Sequence, residues 1–313
     1  MLGFLKQIQH LDFAAAVQEN LRWSLIGVNH VKSGKAELTV CELLDVSDIP
    51  DEQKRLAKLK SKLREYRLDK GGLATVLGLG EYSLVSIEAP QVPANEIRAA
   101  VRWQLQDLID FHIDDAVIDV FDAPVQPNSQ QHNIYAVISK KKNLEKRITP
   151  LQEIDANLTV VDIPELILRN IGSLLSENNA GMVMLYFNED MGLLTLLQKS
   201  SLYLARSLDI GFRQLSDADA GNEAVDHVCL EIQRSLDYFD RYFGMAPIQN
   251  VVVAPLQDMC PGLCKQIQEQ LGLKVRFFNL DEIVSVKQIL SVEQQRRSLM
   301  SVGAALRQES SAL

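Results

Sequence analysis

Two halves of this 313-residue chain repeat one pattern, and that repeat is the strongest constraint on its fold. The first half opens with apolar runs at Ser24–Val31 and Ala36–Leu44, separated by the turn Lys32-Ser33-Gly34-Lys35. The second opens with Met182–Phe187 and Leu193–Gln198 around the turn 188–192, followed by a third run at Ser201–Leu208. Short runs of this kind, bounded by turn residues, read as strands. Later in each half, helical periodicity alternates with strand periodicity. The pattern specifies two α/β lobes, and the length exceeds what one hydrophobic core usually serves.

Between the halves the signals change. Asp51–Leu68 reads as a basic helix with Leu56, Leu59, Leu63 and Tyr66 as its apolar stripe, ended by Gly71 and Gly72. Its lysines read as a solvated face. Leu73–Leu79 and Tyr82–Ile87 read as strands, and Pro90 and Pro93 mark a boundary. In Glu96–Asp122, Ile97, Ala100, Val101, Leu105, Leu108 and Ile109 fall at helical spacing. After Asp114 and Asp115, Val117, Asp119 and Phe121 alternate with Ile118 and Val120 as a half-buried strand would. Asn133–Ser139 reads as a strand, Lys140–Ile154 as a helix, Thr159–Ile163 as a strand and Pro164–Ser176 as a helix with proline in its first turn. Residues 90–161 therefore read as a small α+β unit inserted into the first lobe. The second half adds helices at Asn222–Phe243, Pro261–Leu271 and Ser291–Arg307, with strands at Asn250–Ala254 and Lys274–Phe278.

Composition narrows the function. Hydrophobic residues make up 47% of the chain, enough for packed cores. A net charge of −9 argues against nucleic acid and against direct adhesion to anionic lipid. No apolar run approaches the roughly 20 residues that span a bilayer. MLGFLKQIQHLDF lacks a signal peptide's apolar core, so a cytoplasmic location is expected. Residues 1–20, with Leu2, Phe4, Leu5, Ile8, Leu11 and Phe13, read as a separate segment, such as a short helix docked on the body or touching a membrane surface. Cys41 and Cys229 read as small buried apolar residues, and Cys260 and Cys264 as packing residues without metal partners. The five histidines make no metal spacing. The carboxylates from Asp107 to Asp122 read as a wet helix end and alternate strand positions, without an acid–base role.

The segment Glu96–Asp122 resembles the "IRWEA…YIPF…DDVVLD" stretch of the PilM family, actin-like cytoplasmic proteins of type IV pilus assembly. Ile97, Arg102, Trp103, Ile109, Phe111, Asp114, Asp115, Val117 and Asp119 carry the likeness. Residues 231–239, EIQRSLDYF, are similar to its "EIxRSLDYF". Pro261-Gly262-Leu263 is similar to its "PGL", 302–307 (VGAALR) to its closing "xGLALR", and 161–164 (VDIP) to its "VVD" segment. The likeness is greatest to the branch of mannose-sensitive haemagglutinin pilus systems. It implies a two-lobed actin-like (ribonuclease H-like) ATPase fold. The first lobe would comprise 21–89 and 162–180, with helix 291–307 returning to it. The inserted subdomain would be 90–161, the second lobe 181–290, and 308–313 a tail.

The resemblance also implies three nucleotide loops, and this chain departs from each. The family's "GIDIGSSSVK" is matched by Ile26–Ser33, with Asn29 at the Asp position and Val31 at the Gly position. An amide cannot supply the lost charge, and valine resists a positive φ and obstructs phosphate. "VVDIG" is matched by residues 184–188, MLYFN, with Tyr186 at the Asp position and Asn188 at the Gly position. "AGG" is matched at Ala254 by Pro255 and Leu256, which remove a donor and fill the space of a base. The expectation is a retained shape without usual ATP binding, without catalytic residues, and with no cofactor or metal. The alternative is an ATP-binding switch in which Glu189, Asp190 and Asp258 replace the lost carboxylates around Mg. Lys32-Ser33-Gly34-Lys35 lacks the leading glycine and final Ser or Thr of a P-loop, and reads as a hairpin turn. His30 beside it reads as a polar turn residue.

Family members receive the N-terminal cytoplasmic tail of a PilN-like bitopic inner-membrane protein in a groove beside the inserted subdomain. By that resemblance Arg98, Arg102, Trp103 and Phe111 are candidate groove residues, with a core or rim role equally open for each. The implied role is an adaptor at the inner membrane, held there through its partners, with cytoplasmic motor ATPases and further copies of itself as other possible associates. A GspL-like domain of type II secretion is a third reading, against which the lack of a following apolar helix counts.

Overall fold

The computed structural model describes residues 13–29, 34–93, 96–127 and 132–307. The chain runs β1 (Phe13–Glu19), β2 (Arg22–Asn29), β3 (Ala36–Asp45), α1 (Glu52–Glu65), β4 (Leu73–Val76), β5 (Tyr82–Glu88), α2 (Ile97–Leu105), β6 (Ala116–Asp122), β7 (Asn133–Lys140), α3 (Lys141–Glu153), β8 (Leu158–Asp162) and α4 (Pro164–Gly172). It continues through β9 (Met182–Phe187), β10 (Gly192–Gln198), β11 (Ser201–Leu208), α5 (Phe212–Leu215), α6 (Gly221–Phe243), β12 (Asn250–Val253), α7 (Leu263–Leu271), β13 (Lys274–Phe277), β14 (Val284–Val286) and α8 (Val292–Ala305). These strands form three sheets, in the orders β14-β3-β2-β1-β4-β8, β11-β10-β9-β12-β13 and β5-β7-β6.

Burial explains the layering. Ile167, Leu168 and Ile171 of α4, with Leu299, Val302 and Ala305 of α8, share one buried cluster with Ile26 and Val28 of the first sheet and Met182, Leu193 and Leu197 of the second. These two helices are thus sandwiched between the larger sheets. The outer face of the first sheet is covered by α1 and α3 through Leu56, Leu59, Leu63 and Leu151. That of the second is covered by α6 and α7 through Val225, Ile232, Phe239 and Ile267. A sheet covered on both faces needs strands that are apolar throughout, and every residue of β10 is buried.

Helix α8 fits its slot because of small residues. Ser291 caps it, accepting from Gln294 N at 3.2 Å while Gln294 Oε1 accepts from Ser291 N at 2.9 Å. Ser301 meets Ser24 of β2, oxygen to oxygen, at 2.5 Å. A Cβ on Gly303 would lie 2.4 Å from Ile167 Cγ2, so the approach of α8 to α4 requires glycine.

The third sheet hangs between β4 and β8 in the chain and closes a smaller core with α2, from Val101, Leu105, Val120, Ile134 and Ile138. It is tied to the second sheet where Tyr135 donates to the carbonyl of Tyr203 at 2.8 Å.

Five sequence assignments change, among them β8, placed mostly in the inserted unit 90–161 but paired with β4 in the first sheet. Residues 13–19, placed in a separate terminal segment, form β1 in the interior of the first sheet, paired with β2 and β4; the rest of that segment lies outside the described residues. The run FAAAVQE has three alanines and no strong strand pattern, so only its burial among Leu25, Ile26 and Ala74 reveals it. Strand β5, placed in the first lobe, pairs with β7 in the third sheet. Strand β14, placed in the second lobe, pairs with β3 in the first sheet. Helix α2 stops at Leu105, where Leu108 N turns back to Leu105 O at 3.0 Å, so Leu108 and Ile109 leave the helix.

Candidate functional site

Two concave regions follow from this arrangement. The first is a groove of about 590 Å3 between the third and first sheets. One side is the face of the third sheet made by β6 and β7, with Val137 and Ser139 of β7 beside Asp119 and Val117. The other side includes β8, which among the described residues pairs with β4 alone and ends the first sheet. A terminal strand leaves one row of backbone N–H and C=O groups without a strand partner, a ready template for an extended chain. Val117, Asp119 and Phe121 of β6 share one side of that strand, facing Thr159, Val160 and Val161 of β8, with Leu77, Leu144 and Leu166 among the other apolar lining residues.

One end of the groove is charged. Asp162, 2% exposed, accepts from Arg307 at 2.9 Å and from the N–H of Ile163 at 2.9 Å. Burial pushes the Asp162 carboxyl up, while Arg307 and Arg169 oppose that shift. One step along the same corner, Tyr82 donates to the buried Glu165. Burial lifts the Glu165 carboxyl to about 7, against the lowering effect of that hydrogen bond. Tyr82 opens β5, so this bond ties the entrance of the third sheet to α4.

None of the four residues expected in a partner groove lines this one. Arg98 pairs with Asp119 at 2.8 Å and so touches its rim. Arg102 donates to the carbonyls of Ile113 and Ala116 and pairs with Asp114 at 3.2 Å, fastening the turn before β6. Phe111 packs on the third sheet's own core under Lys140, whose Nζ lies 4.7 Å from the ring centre. Trp103 is 79% exposed. Of the residues that do line the groove, Val117, Asp119, Val161, Asp162, Ile163 and Arg307 were marked only as carriers of the family likeness, and none as a groove residue. Their only signal is that β6 and β8 alternate or mix apolar and polar residues, as edge strands do.

The second region is a cleft of about 280 Å3 between the two larger sheets. It is framed by the β1–β2 turn (Gln18–Arg22), the β9–β10 turn (Asn188–Met191) and the start of α8. Tyr186 and Asn188 line it. Asn29, Pro255 and Leu256 do not. Asn29 ends β2 opposite Glu37, Leu256 belongs to the second sheet's outer core, Pro255 is buried beside it, and Val31 and His30 lie outside the described residues. The hairpin at the cleft is therefore not Ile26–Ser33 but the preceding one, with Glu19, Asn20, Leu21 and Arg22 at its tip. Asn20 takes φ 55°, the left-handed conformation that asparagine tolerates better than most residues.

Several polar groups of the cleft are occupied from within, while Nη2 of Arg297, which also lines it, is buried without a hydrogen-bond partner. The Asn188 side-chain oxygen accepts from the N–H groups of Asp190 and Met191 at 3.0 and 2.7 Å. Arg213 pairs with Glu189 and, at 2.8 Å, with Asp190. Arg147 grips Glu81 at 2.6 and 2.8 Å and donates to the carbonyl of Gln18. Glu81 in turn accepts from the N–H of Gly78 at 2.8 Å. Desolvation, with Glu19 nearby, pushes the Tyr186 phenol up, so it stays neutral. Carboxylates from both turns (Glu19, Glu189 and Asp190) line the cleft.

Among the described residues no group of three or more His, Cys, Asp or Glu side chains is placed to hold a metal ion. The four cysteines are free thiols, and burial raises Cys260 to about 11 and Cys264 to about 12. No described helix is long and apolar enough to cross a membrane.

No family model matches the sequence, and no curated protein does. Solved structures do match. A chain of the PilM–PilN type IV pilus biogenesis complex superimposes with a TM-score of 0.72 at 18% identity, over 94% of this chain and 98% of that one. The cytoplasmic domain of EpsL, an inner membrane component of the type II secretion system of Vibrio cholerae, gives 0.52 at 11% identity, over 95% and 96%. A Bacteroides thetaiotaomicron protein of unknown function with an actin-like ATPase fold gives 0.50 at 9% identity, over 90% and 96%. The chain has the mixed α/β actin-like ATPase fold.

Proposed function

We propose that this protein is a cytoplasmic adaptor of type IV pilus assembly, of the mannose-sensitive haemagglutinin type and most like MshI. In this reading it sits at the inner membrane through its partners. The groove between β6 and β8 receives the N-terminal cytoplasmic tail of a PilN-like bitopic protein. The single observation that carries the reading is an apolar trough bounded by a face of the third sheet and by β8, the terminal strand of the first. An extended tail placed there gains backbone hydrogen bonds from an edge and buries alternate side chains among Val117, Phe121, Val160 and Leu166. The fold shared with a chain of the PilM–PilN complex supports it.

In the same reading the interlobe cleft is a frame and not an ATPase site. Phosphate in an actin-like cleft needs free backbone N–H groups and a metal-binding carboxylate. Here Asn188 takes the N–H groups of its turn, and Arg213 engages the nearby carboxylates. The competing view, a switch controlled by ATP and Mg, predicts a different titration. Calorimetry with a peptide of the first ten or so residues of a candidate bitopic partner, and separately with Mg-ATP, distinguishes them. Saturable peptide binding with no Mg-ATP heat is expected. No affinity for any such tail, or micromolar Mg-ATP binding, would reject the adaptor or the empty-cleft reading respectively.

A further inference from the structure

The net charge of the chain hides where its charges sit. Residues 51–70, which hold α1 and the turn after it, and α3 together carry twelve Lys and Arg against six Asp and Glu. The rest of the chain carries twenty against thirty-five, so a region of +6 stands against a remainder of −15.

The fold gathers this excess on one side. Leu56, Leu59 and Leu63 of α1 and Leu151 of α3 pack on the outer face of the first sheet in one cluster. Both helices therefore turn their opposite sides to solvent on the same side of that sheet. Lys60 of α1 meets Asp155, just beyond α3, at 2.9 Å. Lys54, Arg64, Arg67, Lys142 and Lys146 are exposed. None of these five forms an ion pair among the described residues, whereas Lys62 and Lys141 pair with Glu65 and Glu145 at 3.0 and 3.9 Å. Arg147 is the exception on α3, since it turns inward to Glu81.

What such a layer recognises follows from what it lacks. Among the described residues, no large apolar side chain of α1 or α3 is exposed. A specific protein partner is anchored by a few aromatic or aliphatic side chains seated in pockets. A surface of anionic headgroups needs no such anchor, because each Lys or Arg near it adds attraction. Lysine ammoniums on flexible stems suit that diffuse layer of charge. The same surface repels the acidic remainder, so it orients the molecule as well as attracting it. Helix α3 also supplies Leu144 to the groove, so the basic layer borders the groove.

We propose that the outer layer formed by α1 and α3 is a docking surface for anionic membrane lipid. The contact is electrostatic and reversible, and no part of the chain inserts. It stands without the tail reading of the groove. Where that reading also holds, the contact brings the groove to the bilayer from which a bitopic partner's tail emerges.

Flotation of the full chain with vesicles, in the absence of any partner, tests this. At low salt the protein is expected to float with vesicles of phosphatidylcholine mixed with phosphatidylglycerol and not with phosphatidylcholine alone. It should be released toward 1 M salt, where the Debye length falls to about 3 Å. K54E/R64E and K142E/K146E should each weaken binding by roughly tenfold or more, and the four changes together should abolish it. K265E/K274E makes the same change in net charge on α7 and β13 and should leave binding within about twofold of the wild type. All substituted residues are exposed, and circular dichroism checks that each variant is folded. No flotation with the anionic vesicles, equal flotation with neutral ones, or a loss in K265E/K274E as large as in K142E/K146E would each overturn the proposal. Tight binding of poly-glutamate by a chain that ignores the vesicles would also overturn it, and would assign the layer to an acidic protein. A failed tail-peptide titration leaves every one of these outcomes unchanged, so the two readings fall separately.

Discussion

The groove and the cleft are both concave and both lie where sheets meet, yet their polar groups differ. In the groove, β8 is a terminal strand whose outer backbone groups have no strand partner among the described residues. In the cleft, the N–H groups of Asp190 and Met191 are taken by Asn188, and Arg147–Glu81 and Arg213–Asp190 pair, while Arg297 Nη2 is buried without a partner. A site gains affinity from groups whose hydrogen bonds are not already made inside the protein, since exchanging one good bond for another yields little. By that criterion the β8 edge offers an extended chain backbone bonds that the β9–β10 turn does not offer a phosphate.

The largest test of this contrast is Arg307→Ala. It leaves the buried Asp162 carboxylate without its main partner and should cost about 3 kcal/mol in chemical denaturation, because breaking a buried pair is far costlier than losing a surface one. Tail affinity should fall with it. An unchanged denaturation midpoint would mean that the groove's charged end is not built as described.

Glu165 gives a pH signature of similar size. Its carboxyl rises from an ordinary 4.5 to about 7 in the folded protein. Between those values the folded state holds a proton that the unfolded chain has released, so this contribution to stability is complete below pH 4.5 and is lost as pH rises through 7. The span corresponds to about 3 kcal/mol. Glu165→Gln should flatten the stability profile in that window. A profile that keeps its slope in the variant would assign the proton elsewhere.

Val117→Arg sharpens the comparison without touching a core. Val117 is 39% exposed and lines the groove, so stability should shift by less than about 0.5 kcal/mol. Tail affinity should drop by roughly tenfold or more, equivalent to about 1.4 kcal/mol. Equal peptide binding by wild type and variant would move the docking site off this groove.

Asn188→Ala has the smallest expected effect. Two N–H groups of the β9–β10 turn lose their acceptor, at about 1 kcal/mol in thermal denaturation. If the cleft is closed to nucleotide mainly by Asn188, the variant would gain Mg-ATP affinity. No Mg-ATP binding is expected in the variant either, because Glu189 and Asp190 remain paired with Arg213.

Much of the fold was legible in local patterns. The stripe Leu56, Leu59, Leu63 marked α1 and its buried side. The unbroken apolar run Gly192–Gln198 marked a strand covered on both faces. The site was less legible. The cleft hairpin was read one strand too late, at Asn29 instead of Asn20, because three alanines in β1 hid a strand that only its neighbours stabilise. Trp103 was a groove candidate by family resemblance; it stands exposed on α2, outside the residues that line this groove.

Residue order alone determined which stretches become helix or strand and which side of each is apolar, because those depend on periods of two and of 3.6 residues along one element. It also determined the composition of the β9–β10 turn at the cleft. Only the tertiary structure decided that β14 joins the first sheet, that β6 and β8 end their sheets and both line the groove, and that Asn188 spends its oxygen on its own turn. Strand order and edge exposure arise from pairing between segments far apart in the chain, and no local period encodes which distant strand will be the neighbour.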